Sequence, residues 1–272
     1  MKKIIFVLVL LFLSAIFPQS DSSKIIRVMT YNIHHGEGID NVIDISRIAQ
    51  LILDNNIDIA CLQEVDKEVE RTNKIDIPKL LAEQTGMNYS FHKNINYQGG
   101  EYGNCTLSKY PIVRDTNHHF TMLREGEQRG LLQSVINFEG FIIAVMNTHL
   151  DYRADDAERI LSVERIIEEA KKYSGMPIII CGDFNDIPES RTYLKMTDEF
   201  IDAGKYLDSD DCFTYPTEKP EKRIDYVFLG KPGEQNSEAT IFSTKLFVLE
   251  SVASDHLPVI AEFEIKKKTG ID

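Results

Sequence analysis

Residues 177–186 read PIIICGDFND, an apolar run of strand length that passes straight into a glycine, an aspartate and an Asn-Asp pair. In open α/β sheets ligands bind where strands end, so this stretch locates both a buried strand and the mouth of a site. Asp183 and Asn185 stand two apart, and on an extended segment both side chains face the same way. That spacing lets the aspartate orient a water while the asparagine holds a phosphoryl oxygen.

Working outward, the same design recurs in VMTYNIHHG (28–36), IACLQEVD (59–66), AVMNTHLD (144–151), KRIDYVFL (222–229) and VASDHLPVIAEF (252–263). Each couples an Ile/Val-rich run to amides, carboxylates or imidazoles. Strands are expected over Ile25–Ile33, Ile57–Gln63, Leu131–Phe138, Phe141–Asn147, Pro177–Cys181, Ile224–Leu229 and Pro258–Ile265. The apolar spacing of Ile45, Ile48, Leu51 and Ile52 predicts a helix over 44–54 capped by Asp44. Further helices are expected through Lys79–Gln84, ending at Gly86, and through Ala157–Tyr173, ending before Gly175. Strict β-α-β alternation is missing, because Leu107–Asn147 and the last fifty residues read as consecutive strands. The expectation is an α/β protein with a mixed sheet system covered by helices. The N-x-H of Asn32/His34 returns at Asn147/His149, a short internal echo.

Glu64 follows IDIACLQ where a buried strand must leave its sheet, and an unpaired carboxylate there is expensive. Alone it would read as a capping or salt-bridged acid. With Asn32, Asp183, Asp225 and Asp255 it forms an oxygen-rich set that suits Mg²⁺, with Mn²⁺ as the other hard ion, better than zinc. His149 and His256 each flank an apolar run beside an acid, the setting of a group that binds a phosphate oxygen or moves a proton. His118 and His119 carry no such signal.

The 272 residues have 43% hydrophobic and 27% charged content, which excludes collagen-like, low-complexity and disordered classes. A net charge of −13 and no basic stripe beyond Lys266–Lys268 argue against a stable nucleic-acid partner. MKKIIFVLVLLFLSAIFPQS (1–20) has the layout of a signal peptide, its apolar run too short to span a bilayer. Export to the periplasm or medium is expected, with no transmembrane segment after cleavage. Cys61, Cys105, Cys181 and Cys212 form no CxxC pair. Cys61 and Cys181 lie in apolar runs, where buried free thiols are the default.

TYNIH, LQEV, NTHLD, GDFND, RIDYVF and SDHLP occur in order over more than two hundred residues. This ordered set resembles the endonuclease/exonuclease/phosphatase superfamily, and TYNIHHG, GGEYGN with LSKYPI, and QRGLL look more like its secreted bacterial hydrolase branch and the domain fused to GPI-anchor remodelling proteins than like its DNA-repair branch. The resemblance implies a four-layer α/β sandwich over 24–268, two mixed β-sheets packed face to face with helices outside. It implies Glu64 as principal metal ligand with Asn32 beside it. Asp183 would orient the attacking water, Asn185 would hold the phosphate, and His149 would stabilise charge on the phosphoryl group. Asp225 would lie beside the metal or orient a histidine, and Asp255 with His256 would form the remaining proton-handling pair. Tyr102 or Asn104 would face the substrate; Arg129 reads as a phosphate contact or a surface salt bridge, and His34 as a site residue or strand-end packing. The reaction expected is metal-assisted hydrolysis of a phosphate ester, a phosphodiester first, by in-line attack of water. Candidate substrates are a phospholipid or inositol-phosphate headgroup or nucleic acid. The rivals are a secreted DNA endonuclease and, from another class, a non-catalytic protein binding a glycan or lipid headgroup.

Overall fold

The computed structural model describes residues 23–205, 212–231 and 239–267; the leader read over 1–20 and the basic Lys268 lie outside them. Among the described residues the strands are β1 (Lys24–Asn32), β2 (Ile59–Lys67), β3 (Asn88–Tyr97), β4 (Gly100–Ser108), β5 (Ile112–His119), β6 (Gly130–Phe138), β7 (Phe141–His149), β8 (Ile178–Asp183), β9 (Phe200–Asp202), β10 (Asp225–Gly230), β11 (Ala239–Val248) and β12 (Val259–Lys267). The helices are α1 (Ile45–Asp54), α2 (Ile77–Thr85), α3 (Ala157–Lys171) and α4 (Arg191–Glu199). Two six-stranded sheets form, ordered β11-β12-β1-β2-β4-β3 and β5-β6-β7-β8-β10-β9. In each, the two middle strands are parallel, β1 with β2 and β7 with β8, and the other pairings are antiparallel. The N-x-H echo therefore falls at the ends of equivalent strands in two sheets of one plan.

Ile26, Val28, Ile59, Cys61 and Phe263 of the first sheet pack directly on Val145, Ile179, Cys181 and Val227 of the second. On the far face of the first sheet, Met29, Tyr31 and Ile260 meet Ile48 and Ile52 of α1 and Leu81 of α2. On the far face of the second, Ile180 and Phe228 meet Val163 and Ile166 of α3 and Met196 of α4. The layers are helix, sheet, sheet, helix, the four-layer sandwich expected. Burying each such aliphatic side chain contributes about 1.5–3 kcal/mol.

Strand periodicity then places the polar residues. Side chains two apart share a face, so the inward parity of Val28, Cys61, Val145, Cys181 and Val227 carries on to Asn32, Gln63, Asn147, His149, Asp183 and Asp225. All of these are buried. The sheets are joined there by hydrogen bonds as well as by apolar contact. Gln63 Nε2 donates to Asn147 Oδ1 (2.8 Å), and Asn147 Nδ2 donates to the carbonyls of Leu62 (3.0 Å) and Cys105 (2.9 Å).

Several sequence expectations shift. α1 matches, with Asp44 accepting from the Ser46 amide at 3.0 Å. α2 begins two residues early, its Asp76 accepting from the Lys79 amide, and ends on left-handed Gly86. α3 does not end on glycine: Lys172 is its C-cap, and Gly175 lies in the turn beyond. α4 shows too little apolar stripe to be seen, because only Thr192 and Met196 are buried; its signal is the Ser190 cap. Cys61, Cys105 and Cys181 are buried free thiols, and Cys212 is buried as well.

Asn147→Ala removes one acceptor of the Gln63 amide and the side-chain donor to two carbonyls between the sheets, and we expect it to cost about 3 kcal/mol. Chemical denaturation of the metal-free variant measures this; an unchanged midpoint would contradict it.

Candidate active site

Asp183 ends β8 at 1% exposure, with polar partners on every side. Its Oδ2 lies 3.0 Å from Asn32 Nδ2, 3.4 Å from His149 Nε2 and 3.7 Å from His256 Nε2, and its Oδ1 accepts from the Asn185 amide at 2.9 Å. Antiparallel pairing sets Asp225 directly opposite Asp183. Asp225 Oδ2 holds His256 Nδ1 at 3.0 Å. The sequence roles proposed for Asp183, Asp225 and His256 thus fall in one contiguous group.

His149, last residue of β7, is held from behind by Arg129, whose Nη1 lies 2.8 Å from His149 Nδ1. A guanidinium cannot accept a hydrogen bond, so Nδ1 is the acceptor and the ring proton sits on Nε2, facing Asp183. Arg129 also pairs with Glu127 at 2.7 Å. It is no surface salt bridge: it is buried, 7% exposed, lines the cleft and fixes an imidazole. Asn185 Nδ2 donates to the Leu150 carbonyl (3.1 Å) and lies 3.0 Å from His149 Nε2.

Glu64 is not at a strand exit. β2 continues to Lys67, and the pairing with β4 slips between Leu62 and Val65. In that bulge Glu64 takes a left-handed φ of 57°, which turns its side chain out of the sheet and into the site. Its Oε1 accepts from Asn32 Nδ2 at 2.9 Å. Asn32 therefore bridges Glu64 and Asp183 with its nitrogen, while its oxygen accepts from the His34 amide at 3.0 Å. As placed, Asn32 orients the two carboxylates and does not turn its oxygen toward them as a ligand would.

The donor set fits a hard divalent cation. Asp183 and Asp225 set two carboxylates against the His256 imidazole, Glu64 stands across Asn32 from Asp183, and Asp225 Oδ1 is buried with no hydrogen-bond partner among the described residues. Asp183, Asp225 and His256 also present donor atoms within 4.8 Å of one another. Carboxylates at such density are tolerated with a cation between them.

These groups open onto a cleft of about 780 Å³ that Glu64, Arg129, His149, Asn185, Asp255 and His256 help to line. Asp255 is half-exposed, 4.0 Å from His34 Nδ1, which puts His34 at the edge of the same region. Asn104 is elsewhere: fully buried, it points its amide at the carbonyls of Gly130 and Asn147 and ties the sheets together beneath the site. Tyr102, two residues earlier on the same face of β4, takes the cleft wall instead. The cleft also receives Arg71, Tyr97, Tyr152, Arg153, Tyr215 and Lys222. They come from loops and edge strands with no apolar run to frame them. The one local signal was Tyr152 and Arg153, directly after NTHLD.

Burial, and then Asp225, push Asp183 up to about 7. His256 moves the other way from what burial alone would cause: Asp225 and Asp183 lift it to about 10. His149 is held well below the ordinary histidine value by burial, then Arg129, then His256. The site thus offers a base poised near neutrality, a cationic donor and a neutral donor. In a metal-free protein a raised carboxyl favours the protonated fold. Its stabilising contribution is complete below the ordinary value of 3.8 and is lost as pH rises through about 7. In EDTA, the Tm of the parent chain relative to Asp183→Asn should therefore fall between pH 4 and 7; a flat difference would contradict the assignment.

The family model described as "Endonuclease/Exonuclease/phosphatase family" matches residues 29–256. Escherichia coli YbhP is 25% identical over 260 residues, covering 91% of this chain and all of that one. Rat nocturnin is 29% identical over 211 residues, 64% of this chain and 46% of that one. Among solved structures, an endonuclease/exonuclease/phosphatase from Beutenbergia cavernae superposes with a TM-score of 0.72 at 21% identity, over 89% of this chain and 72% of that one. A Bacteroides thetaiotaomicron mannosyl-6-phosphatase superposes with a TM-score of 0.70 at 19% identity, over 88% and 99%. With the sandwich, the polar pole between its sheets and a family match that runs from β1 to His256, the chain belongs to the endonuclease/exonuclease/phosphatase family of divalent-metal-dependent phosphoester hydrolases.

Proposed function

We propose that the protein is an exported Mg²⁺-dependent phosphohydrolase that cleaves a phosphate ester, a phosphodiester first, by direct in-line attack of water. The observation that carries this reading is the buried carboxylate of Asp183 held between His149 and His256 with Glu64 across Asn32. Asp183, near neutrality, takes the proton of the attacking water. Asn32 and the Asn185 amide orient it. His149 donates from Nε2 to a phosphoryl oxygen, and cationic His256, braced by Asp225, offsets charge developing on the phosphoryl group. Glu64 with the neighbouring carboxylates would hold the cation, which when bound supplies Lewis-acid neutralisation of the phosphoryl and leaving oxygens. No covalent intermediate is needed.

A compact headgroup suits the cleft better than a long polyanion. Arg71 is bound through two contacts to Asp66, Arg153 to Asp151 and Glu158, and Arg159 to Asp186, so the arginines near the cleft are already neutralised. Duplex binding relies on unneutralised cations along the backbone. One solved neighbour is by its name a phosphatase of a phosphorylated sugar, and the sequence leader supports export to the periplasm or medium.

Purified mature protein should hydrolyse bis-p-nitrophenyl phosphate, or a sphingomyelin or inositol phosphate, in Mg²⁺ or Mn²⁺ and not in EDTA. It should do so faster than it hydrolyses p-nitrophenyl phosphate or nicks supercoiled plasmid. Asp183→Ala and His256→Ala should each lower turnover about 10³-fold with unchanged circular dichroism. No turnover of any ester, with no Mg²⁺ binding by calorimetry, would instead favour a headgroup-binding protein. Expressed from its full reading frame, the protein recovered outside the cytoplasm should have lost about twenty N-terminal residues by mass.

A further inference from the structure

His34 and His35 follow β1 directly, and the hydrolytic reading gives His35 no task. Both take left-handed backbone angles, φ 43° and 46°. One donor atom from each of His34, His35 and Glu64 lies within 4.8 Å of the other two. His35 is 6% exposed. Its Nε2 contacts Glu37 Oε2 at 3.2 Å, while its Nδ1 is buried without a hydrogen-bond partner among the described residues.

A neutral imidazole has one N–H and one lone pair. With the proton on Nε2, directed at Glu37, the bare lone pair is on the buried Nδ1, in a residue whose ring clusters with His34 and Glu64. A carboxylate behind a histidine whose other nitrogen is open is the arrangement found behind metal-ligating histidines, where it fixes the tautomer and raises ligand basicity. The Arg71 guanidinium stands near His35. The Arg71 charge is offset by Asp66, bound at 2.8 and 2.9 Å, and Asp255 adds negative charge 4.0 Å from His34.

We propose that His34, His35 and Glu64 form a second cation site, separate from the oxygen-rich centre at Asp183 and Asp225, with Glu37 as the carboxylate behind His35. Two imidazoles and one carboxylate suit a borderline first-row ion, and Zn²⁺ fits that donor set best. The proposal touches the hydrolytic reading only in sharing Glu64, whose carboxylate would stand between the two ions.

Calorimetric titration of Zn²⁺ into the mature full-length chain at saturating Mg²⁺ tests it without reference to turnover. One Zn²⁺ should bind per chain, and a zinc-edge anomalous map should place it at His34 and His35. His34→Gln and His35→Gln should each weaken Zn²⁺ binding at least about tenfold, with Mg²⁺ binding unchanged, and Glu37→Gln should weaken it less. If His35→Gln fails to fold, half-exposed His34 carries the test. Zn²⁺ affinity indifferent to the histidine substitutions, or an anomalous peak elsewhere, would overturn the proposal. Absent hydrolysis with a zinc site intact would count against the hydrolase reading and leave this one standing.

Discussion

The contact on which the rest of the site depends is the one between Asp183 and its two imidazoles. A carboxylate that deep inside a protein is costly, and here the cost is met unevenly: His256 answers with a full charge, His149 with a neutral ring 3.4 Å away. The difference comes from what stands behind each ring. Asp225 braces His256 and keeps it protonated; Arg129 braces His149 and keeps it neutral. Two histidines of the same type, equally buried, thus acquire different chemistry from one carboxylate and one guanidinium.

The sandwich is what allows that contact to exist. Each sheet carries a central parallel pair flanked by antiparallel strands, and the inward parity of β1, β2, β7, β8 and β10 delivers a polar residue to the same end of the interface. Gln63, Asn104 and Asn147 lie between this pole and the apolar core, where Gln63 donates to Asn147 and all three donate to strand carbonyls. They give the reacting groups a rigid floor. Backbone strain gathers at the same pole: Glu64, Asn185, His34 and His35 all have positive φ. Non-glycine residues there cost about 1–3 kcal/mol each and persist where surrounding structure over-determines them. A bulge that turns Glu64 into the site exchanges stability for a ligand position.

Most of this pole was legible in the sequence, because it is built from strand ends, and a strand end shows as an apolar run that stops at a polar residue. Asp183, Asp225, His149 and His256 could be read that way. Glu64 could be singled out but not its bulge, since a register slip in β2 depends on how β4 pairs with it. Asn104 was misplaced along the strand and not across it: Tyr102, two residues before it on the same face, lines the cleft, while Asn104 lies deeper between the sheets. Arg71, Tyr97, Tyr215 and Lys222 were unreadable because loops and edge strands carry no periodicity to place them. α4 went unseen for a related reason, its two buried residues being too few to mark a face.

The most direct test of the account is diffraction from crystals of the mature protein soaked in Mn²⁺ and inorganic phosphate, with anomalous data at the manganese edge. The account predicts a peak in contact with Glu64 at the pole that also holds Asp183 and Asp225, with the phosphate turned toward His149 and Asn185. An ion bound away from Glu64, or phosphate seated outside the reach of both histidines, would contradict it.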